Sequence, residues 1–136
     1  MEHVLFAYGT LQLPEVMERL LGRTVQGTPA VLEDFRSGLV ARANFPGIVP
    51  QVGETVIGTR LTGFTQDDLR ALDRYEGELY RRIRVSVRLE GSPPHLIKPS
   101  WVYCMAPWAH ARVTSTPWTI DWYRQFGRKG RLTYRY

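Results

Sequence analysis

The clearest hydrophobic pattern in this sequence is a strict alternation of apolar and polar residues in its second half. Arginine or serine separates four apolar positions, Ile83, Val85, Val87 and Leu89. A period of two is typical of a β-strand with one buried face. Residues 3–8, 27–63 and 101–105 are also rich in β-forming residues and predict further strands joined by Gly and Pro turns. Gly58, inside one of these strands, indicates a close approach of the backbone.

Two segments combine helical spacing with matching end signals. The first runs from Pro14, a residue suited to the first helical position, to Gly22, a typical stop. The second begins at Thr65, which opens a Thr-x-x-Asp variant of the capping box, and ends before Gly77. Residues 117–126 predict a third helix. Many strands and few helices in scattered order predict an α+β fold, with the sheet curled towards a barrel.

The composition is that of an ordinary globular domain. The chain has 136 residues, of which 43% are hydrophobic and 23% charged. The longest stretch without Asp, Glu, Lys or Arg is residues 99–111, shorter than the roughly 20 apolar residues of a membrane-spanning helix. The first residues lack the basic start of a signal peptide. We therefore expect a single-domain cytoplasmic protein with no membrane partner.

The formal net charge of +5 is distributed unevenly. Lys and Arg balance Asp and Glu over residues 1–122, whereas residues 123–136 contain basic and aromatic residues and no acid. The sequence thus predicts a domain over 1–122 and a basic aromatic tail over 123–136. A protein that binds nucleic acid usually carries a basic face on its folded body, so the neutral body argues against a nucleic-acid partner.

Several common kinds of catalytic and metal site are missing from the sequence. His3, His95 and His110 share no ligand spacing with each other or with Cys104, so no metal site is predicted. Cys104 stands alone in an apolar strand, which favours a buried packing residue over a nucleophile and excludes an internal disulfide. Neither a phosphate-binding glycine loop nor a nucleophile elbow is present. We therefore expect no cofactor.

A candidate site begins at the sequence Tyr8-Gly9-Thr10-Leu11, where a predicted strand turns at a glycine before a helix. Backbone N–H groups exposed at such a turn can hold an anion or a developing oxyanion. The alternative is that Gly9-Thr10 is an ordinary turn without a ligand.

The second candidate is Glu76, in the last turn of the second predicted helix. The negative end of the helix dipole disfavours a carboxylate charge there, and burial beside Tyr75 and Tyr80 would raise the pKa of Glu76 towards that of a usable general base. The alternative is a surface ion pair between Glu76 and a neighbouring arginine, Arg74, Arg81 or Arg82.

Three motifs in this order resemble the γ-glutamylcyclotransferase-like superfamily: Phe6-Ala-Tyr-Gly-Thr-Leu11, Phe45-Pro-Gly-Ile-Val-Pro50 and Leu72-Asp-Arg-Tyr-Glu-Gly77 with Tyr80, Arg82 and Val85. The chain is most similar to its avirulence-induced-gene-like and γ-glutamylamine cyclotransferase branch, over residues 4–105. The resemblance implies a small mixed β-barrel flanked by α-helices, with a ligand cavity at one end. It also implies that Tyr8, Gly9, Thr10, Leu11 and Tyr80 contact the substrate and that Glu76 is the catalytic acid and base.

The chemistry of that family fits a sequence without metal or nucleophile motifs. A γ-glutamyl amide cyclises when its own α-amine attacks the γ-carbonyl, which releases an amine and 5-oxoproline. The reaction needs a group that accepts and returns a proton and donors for the oxyanion, but no cofactor, because the nucleophile belongs to the substrate. The expected partner is a small γ-glutamyl amine or peptide.

Two alternative functions remain open. One is a non-catalytic domain that keeps the barrel and binds a small metabolite or a protein. The other is a nucleic-acid binder that works through the basic aromatic tail, where arginines attract phosphate and aromatic rings stack on bases. Glu76, Gly77, Tyr80 and Gly9 together favour the enzyme over the binding domain.

Overall fold

The centre of the molecule is a closed barrel of five strands, seen in a computed structural model that describes residues 3–93 and 96–127. The strands are β1 (His3–Ala7), β2 (Gly27–Leu39), β3 (Pro46–Phe64), β4 (Tyr80–Leu89) and β5 (Ile97–Met105). They follow the order β1-β3-β2-β4-β5, and β1 closes the barrel by pairing in parallel with β5. The predicted α+β barrel is confirmed.

The helices pack against the barrel through one shared buried cluster. They are α1 (Pro14–Leu21), α2 (Gln66–Glu76) and the short α3 (Ile120–Trp122), accompanied by 3₁₀ turns at Thr10–Gln12 and Pro107–Arg112. Among the described residues, no helix has the length and apolar character needed to cross a membrane.

Neighbouring residues of β1 pack into two different cores, as the alternation of side chains along a strand requires. Phe6 belongs to a buried cluster that takes residues from all five strands and none from a helix, so this cluster fills the barrel. Leu5 belongs to a second cluster that includes Leu69 and Leu72 of α2, so it lies between the barrel and the helices. Cys104 is a buried free thiol in the barrel core, which confirms the predicted packing role.

The ends of the first two helices agree with the sequence signals. Gly22 ends α1 in the left-handed conformation, with φ of 77°. At the start of α2, the Thr65 hydroxyl accepts a hydrogen bond from the Asp68 amide at 3.1 Å, and the Asp68 carboxylate accepts one from the Thr65 amide at 2.8 Å. The capping box is therefore complete, and Gly77 follows the last residue of α2.

Gly58 in β3 shows the predicted close approach. A Cβ atom at this position would lie 2.4 Å from the carbonyl oxygen of Ala7 and 2.8 Å from the ring of Phe6. These distances are shorter than van der Waals contact, so only glycine allows β3 to pass this close to β1.

The predicted third helix over 117–126 is wrong in its length. Only Ile120–Trp122 is α-helical, and a π-helical turn follows it at Tyr123–Gly127. The segment before it is held by tertiary contacts, since the Trp118 indole donates a hydrogen bond to the Asn44 carbonyl at 2.9 Å. Helical propensity is a weak preference that such contacts override.

The division into a domain over 1–122 and a tail over 123–136 stays a prediction, and residues 128–136 lie outside the described residues. Tyr123 is buried, with its ring centroid 5.9 Å from that of Trp118. Arg124 forms an ion pair with Glu15 of α1 at 2.8 Å. The first residues beyond position 122 therefore pack against the barrel and α1.

Candidate active site

A cleft opens where β1 ends, next to the C-terminal end of α2. It contains about 340 Å³ of space not filled by protein atoms, part of which is open to solvent. Its lining residues come from four strands, two loops and α2: Phe6, Ala7, Tyr8, Gly9, Thr10, Leu11, Phe45, Pro46, Glu76, Tyr80 and Tyr103. All six residues predicted for the site line this one cleft, while their chemical roles stay predictions.

The turn after β1 is tied directly to α2. The Thr10 hydroxyl and the Tyr75 hydroxyl are 2.9 Å apart and hydrogen-bonded, although the two residues are 65 positions apart in sequence. The amides of Thr10 and Leu11 open the 3₁₀ turn, so they have no partner within it. A Cβ at Gly9 would lie 3.0 Å from Cγ of Pro46. The absence of a side chain at position 9 therefore allows the turn to lie this close to Pro46 in the cleft wall.

Glu76 is the last residue of α2 and is partly buried in the cleft. Burial is the main cause that raises the pKa of its carboxyl from the ordinary 4.5 to about 8, and the negative charge of Asp73 contributes to the same rise. An ion pair with an arginine would lower the pKa instead. The raised pKa is the direction expected for a buried acid, and Arg82, one of the three arginines considered as a partner of Glu76, forms an ion pair with Asp73.

Asp73 lies one helical turn before Glu76 and was not predicted as part of the site. Its carboxylate accepts hydrogen bonds from Arg82 Nε at 2.9 Å, from Arg82 Nη2 at 3.2 Å and from the Tyr103 hydroxyl at 2.7 Å. Burial opposes the charge, yet these hydrogen bonds and the charge of Arg82 lower the pKa of Asp73. Asp73 therefore carries its negative charge at neutral pH.

Tyrosines form much of the remaining wall. The Tyr8 hydroxyl donates to the backbone carbonyl of Tyr103 at 2.5 Å, and the Tyr80 hydroxyl donates to that of Pro46 at 2.6 Å. Burial is the main cause that raises the pKa values of Tyr8 and Tyr103 well above that of a free phenol. Both side chains are therefore neutral hydrogen-bonding groups in the cleft.

Sequence reasoning missed Asp73 and Tyr103 for different reasons. The spacing of three residues between Asp73 and Glu76 within a predicted helix could have indicated that the two carboxyls are neighbours. Tyr103 reaches the site because β5 pairs with β4 in a register that places it opposite Arg82. No local pattern in the sequence indicates that register.

Comparisons with known proteins agree with the fold and with the motifs. A family model described as gamma-glutamyl cyclotransferase, AIG2-like, matches residues 5–122. The relative named AIG2-like protein D, from Arabidopsis thaliana, is 37% identical over 66% of this chain and 59% of its own length. The chain spans about three-fifths of the length of the curated relatives it matches.

Solved structures show the same fold over most of the chain. The solution structure of an Arabidopsis thaliana protein matches with a TM-score of 0.75 and 28% identity, covering 97% of this chain and 87% of that one. A structure titled gamma-glutamyl cyclotransferase matches with a TM-score of 0.65 and 21% identity, over 78% of this chain and 68% of that one. At that identity the second match shows the fold alone.

Proposed function

Because the chain belongs to the AIG2-like gamma-glutamyl cyclotransferase family, we propose that it converts a γ-glutamyl amine or γ-glutamyl peptide into 5-oxoproline and the free amine, with Glu76 as the general acid and base. The observation that supports this proposal most directly is the position of the buried Glu76 carboxyl in a cleft that the turn at Gly9–Leu11 also lines.

In the first step, Glu76 accepts a proton from the α-ammonium group of the substrate. The pKa of Glu76 is raised from 4.5 to about 8, much closer to the range in which amino groups titrate. The proton transfer therefore costs less free energy than it would with a glutamate of ordinary pKa, which suits a group that has to take a proton and later return it. A glutamate at its ordinary pKa would be a much weaker base.

In the second step, the free α-amine attacks the γ-carbonyl carbon. A new C–N bond closes the five-membered ring, and the carbonyl oxygen becomes an oxyanion. We assign the backbone amides of Gly9, Thr10 and Leu11 as donors to this oxygen, because they line the cleft together with Glu76. The amides belong to a turn that Tyr75 holds in place, so little reorganisation is needed.

In the third step, Glu76 returns its proton to the leaving nitrogen. The original C–N bond breaks, the carbonyl re-forms, and the ring nitrogen loses its second proton to the departing amine or to water. The products are the neutral lactam of 5-oxoproline and the free amine. The protein supplies proton transfer, donors and a closed shape, while the substrate supplies its own nucleophile.

The test is release of 5-oxoproline from a panel of γ-glutamyl amines and γ-glutamyl peptides by the wild-type protein, Glu76→Gln and Glu78→Gln. Gln keeps the size and hydrogen-bonding shape of Glu76 but cannot accept the proton. We expect kcat of Glu76→Gln to fall by about 10²–10⁴-fold with substrate binding retained.

Glu78 is the matched control, because it lies two residues further on, beyond the helix-ending Gly77, and is exposed. Its replacement should leave kcat within about twofold of wild type. Equal losses in the two variants would contradict a role specific to Glu76. Absence of 5-oxoproline with every substrate, combined with ligand binding, would indicate the non-catalytic binding domain instead.

A further inference from the structure

Asp73 holds a fixed negative charge beside the proposed catalytic residue. It precedes Glu76 by three positions in α2, a spacing that places two Cβ atoms about 5–6 Å apart on one helix face. Three hydrogen bonds from two different strands converge on its carboxylate. Such a carboxylate has little freedom to rotate away from Glu76.

The arginine that binds Asp73 is itself held in place. The guanidinium carbon of Arg82 lies 4.2 Å from the centroid of the Trp101 ring, and that of Arg84 lies 4.4 Å from the same centroid. Stacking on Trp101 fixes the plane of the Arg82 guanidinium, whose two nitrogens then meet the two carboxylate oxygens of Asp73.

Tyr103 connects this ion pair to the wall of the cleft. Its hydroxyl donates to Asp73 at 2.7 Å, its backbone carbonyl accepts from Tyr8, and its side chain lines the cleft beside Glu76. Asp73, Arg82 and Tyr103 therefore form one network that joins α2 to β4 and β5.

The titratable groups around Glu76 come from every neighbouring element. They are Asp73 and Tyr75 of α2, Tyr8 after β1, Tyr80 of β4 and Tyr103 of β5. Asp73 is the carboxylate in this set and the others are phenols. The negative charge of Asp73 acts on Glu76 and raises its pKa, and Arg82 forms an ion pair with Asp73.

We propose that Asp73, clamped by Arg82 and Tyr103, is a positioning residue that keeps a negative charge one helical turn from Glu76 and thereby keeps the Glu76 carboxyl able to accept and return a proton. The role assigned to Glu76 rests on the function proposed above. Two carboxyls whose environments push their pKa values in opposite directions are a recurrent arrangement in acid–base sites. Here Asp73 is held ionised, and Glu76 is left as the group that exchanges its proton.

The experiment is a carbon-13 NMR titration of the glutamate side-chain carboxyls in the full chain, without substrate. The Glu76 resonance is assigned by its absence in Glu76→Gln. The variants are Asp73→Asn, Tyr103→Phe and, as a matched control, Asp67→Asn. Asp67 lies in the first turn of the same helix with its side chain exposed, so its replacement removes the same charge far from the cleft.

We expect Asp73→Asn to lower the midpoint of the Glu76 titration by about one pH unit or more, because a neighbouring negative charge is lost. Tyr103→Phe should lower it by a smaller amount, because the Asp73 carboxylate is then held by Arg82 alone and is free to move away from Glu76. In the double variant Asp73→Asn/Tyr103→Phe the midpoint should equal that of Asp73→Asn, whereas a purely structural role of Tyr103 predicts a further fall, since a loosened site admits water and lowers the pKa of Glu76. Asp67→Asn should leave the midpoint of the Glu76 titration unchanged.

An unchanged midpoint in Asp73→Asn, or a shift of equal size in Asp67→Asn, would overturn the proposal. If Asp73→Asn does not fold, Tyr103→Phe decides alone, since a fall of the midpoint supports the proposal and a rise or no change overturns it. The titration needs no turnover. Failure to find any γ-glutamyl substrate would therefore defeat the proposed function and leave this measurement valid.

Discussion

Ionisation of Glu76 should cost the folded protein stability, and replacing it with glutamine should remove that cost. The pKa of Glu76 is about 8 in the folded protein, against an ordinary value of 4.5 that applies to the unfolded chain. Between these two values the folded state holds one more proton than the unfolded state. The free energy of unfolding therefore falls as the pH rises. This contribution is fully present below pH 4.5 and lost once the pH passes 8.

The size of the effect follows from the same two pKa values. Each pH unit between 4.5 and 8 costs about 1.4 kcal/mol, so complete ionisation of Glu76 costs up to about 5 kcal/mol. That is a large part of the 5–15 kcal/mol by which a typical domain is stable. Glu76→Gln cannot ionise, so it should match the wild type near pH 5 and exceed it by several kcal/mol near pH 9.

Urea unfolding of wild type and Glu76→Gln, repeated from pH 5 to pH 9, measures this difference directly. Glu78→Gln serves as the control, because it removes one carboxylate from an exposed position two residues away. A difference between wild type and Glu76→Gln that stays constant within about 0.5 kcal/mol over this range would refute the reasoning. It would show that the Glu76 carboxyl is exposed to water and that the cleft does not raise its pKa.

Three other changes test the fold, the cleft wall and the tail. Gly58→Ala should lower the free energy of unfolding by about 3 kcal/mol, because its Cβ would lie 2.4 Å from the Ala7 carbonyl oxygen. An unchanged midpoint in urea titrations would contradict the close approach of β3 to β1. Tyr80→Phe should cost about 1 kcal/mol through loss of the 2.6 Å hydrogen bond to Pro46, and no loss would mean that the bond contributes nothing. Deletion of 128–136 should leave the amide NMR spectrum of the domain intact and weaken salt-sensitive binding to heparin, whereas a protein that no longer folds would show that this segment is structural.

Some features of the molecule could be predicted because they depend on residues close together in the chain. The capping box at Thr65, the stop at Gly22 and the alternation along β4 each need only a few neighbouring residues. The position of Glu76 at the end of α2 follows from the same local signals. The resemblance to known motifs then indicated that Glu76 and the turn at Gly9 meet, which local signals could not show.

Tertiary structure decided the environment that makes Glu76 a candidate base. Its burial depends on residues of β1, β4 and β5 that line the same cleft, and the charge of Asp73 beside it is held by Arg82 and Tyr103, which belong to β4 and β5. The third helix begins only at Ile120, after Trp118, whose indole bonds to a loop far from it in sequence. Desolvation and long-range hydrogen bonds arise only when distant segments come together, so the identity of Glu76 could be read from the chain, whereas its raised pKa could not.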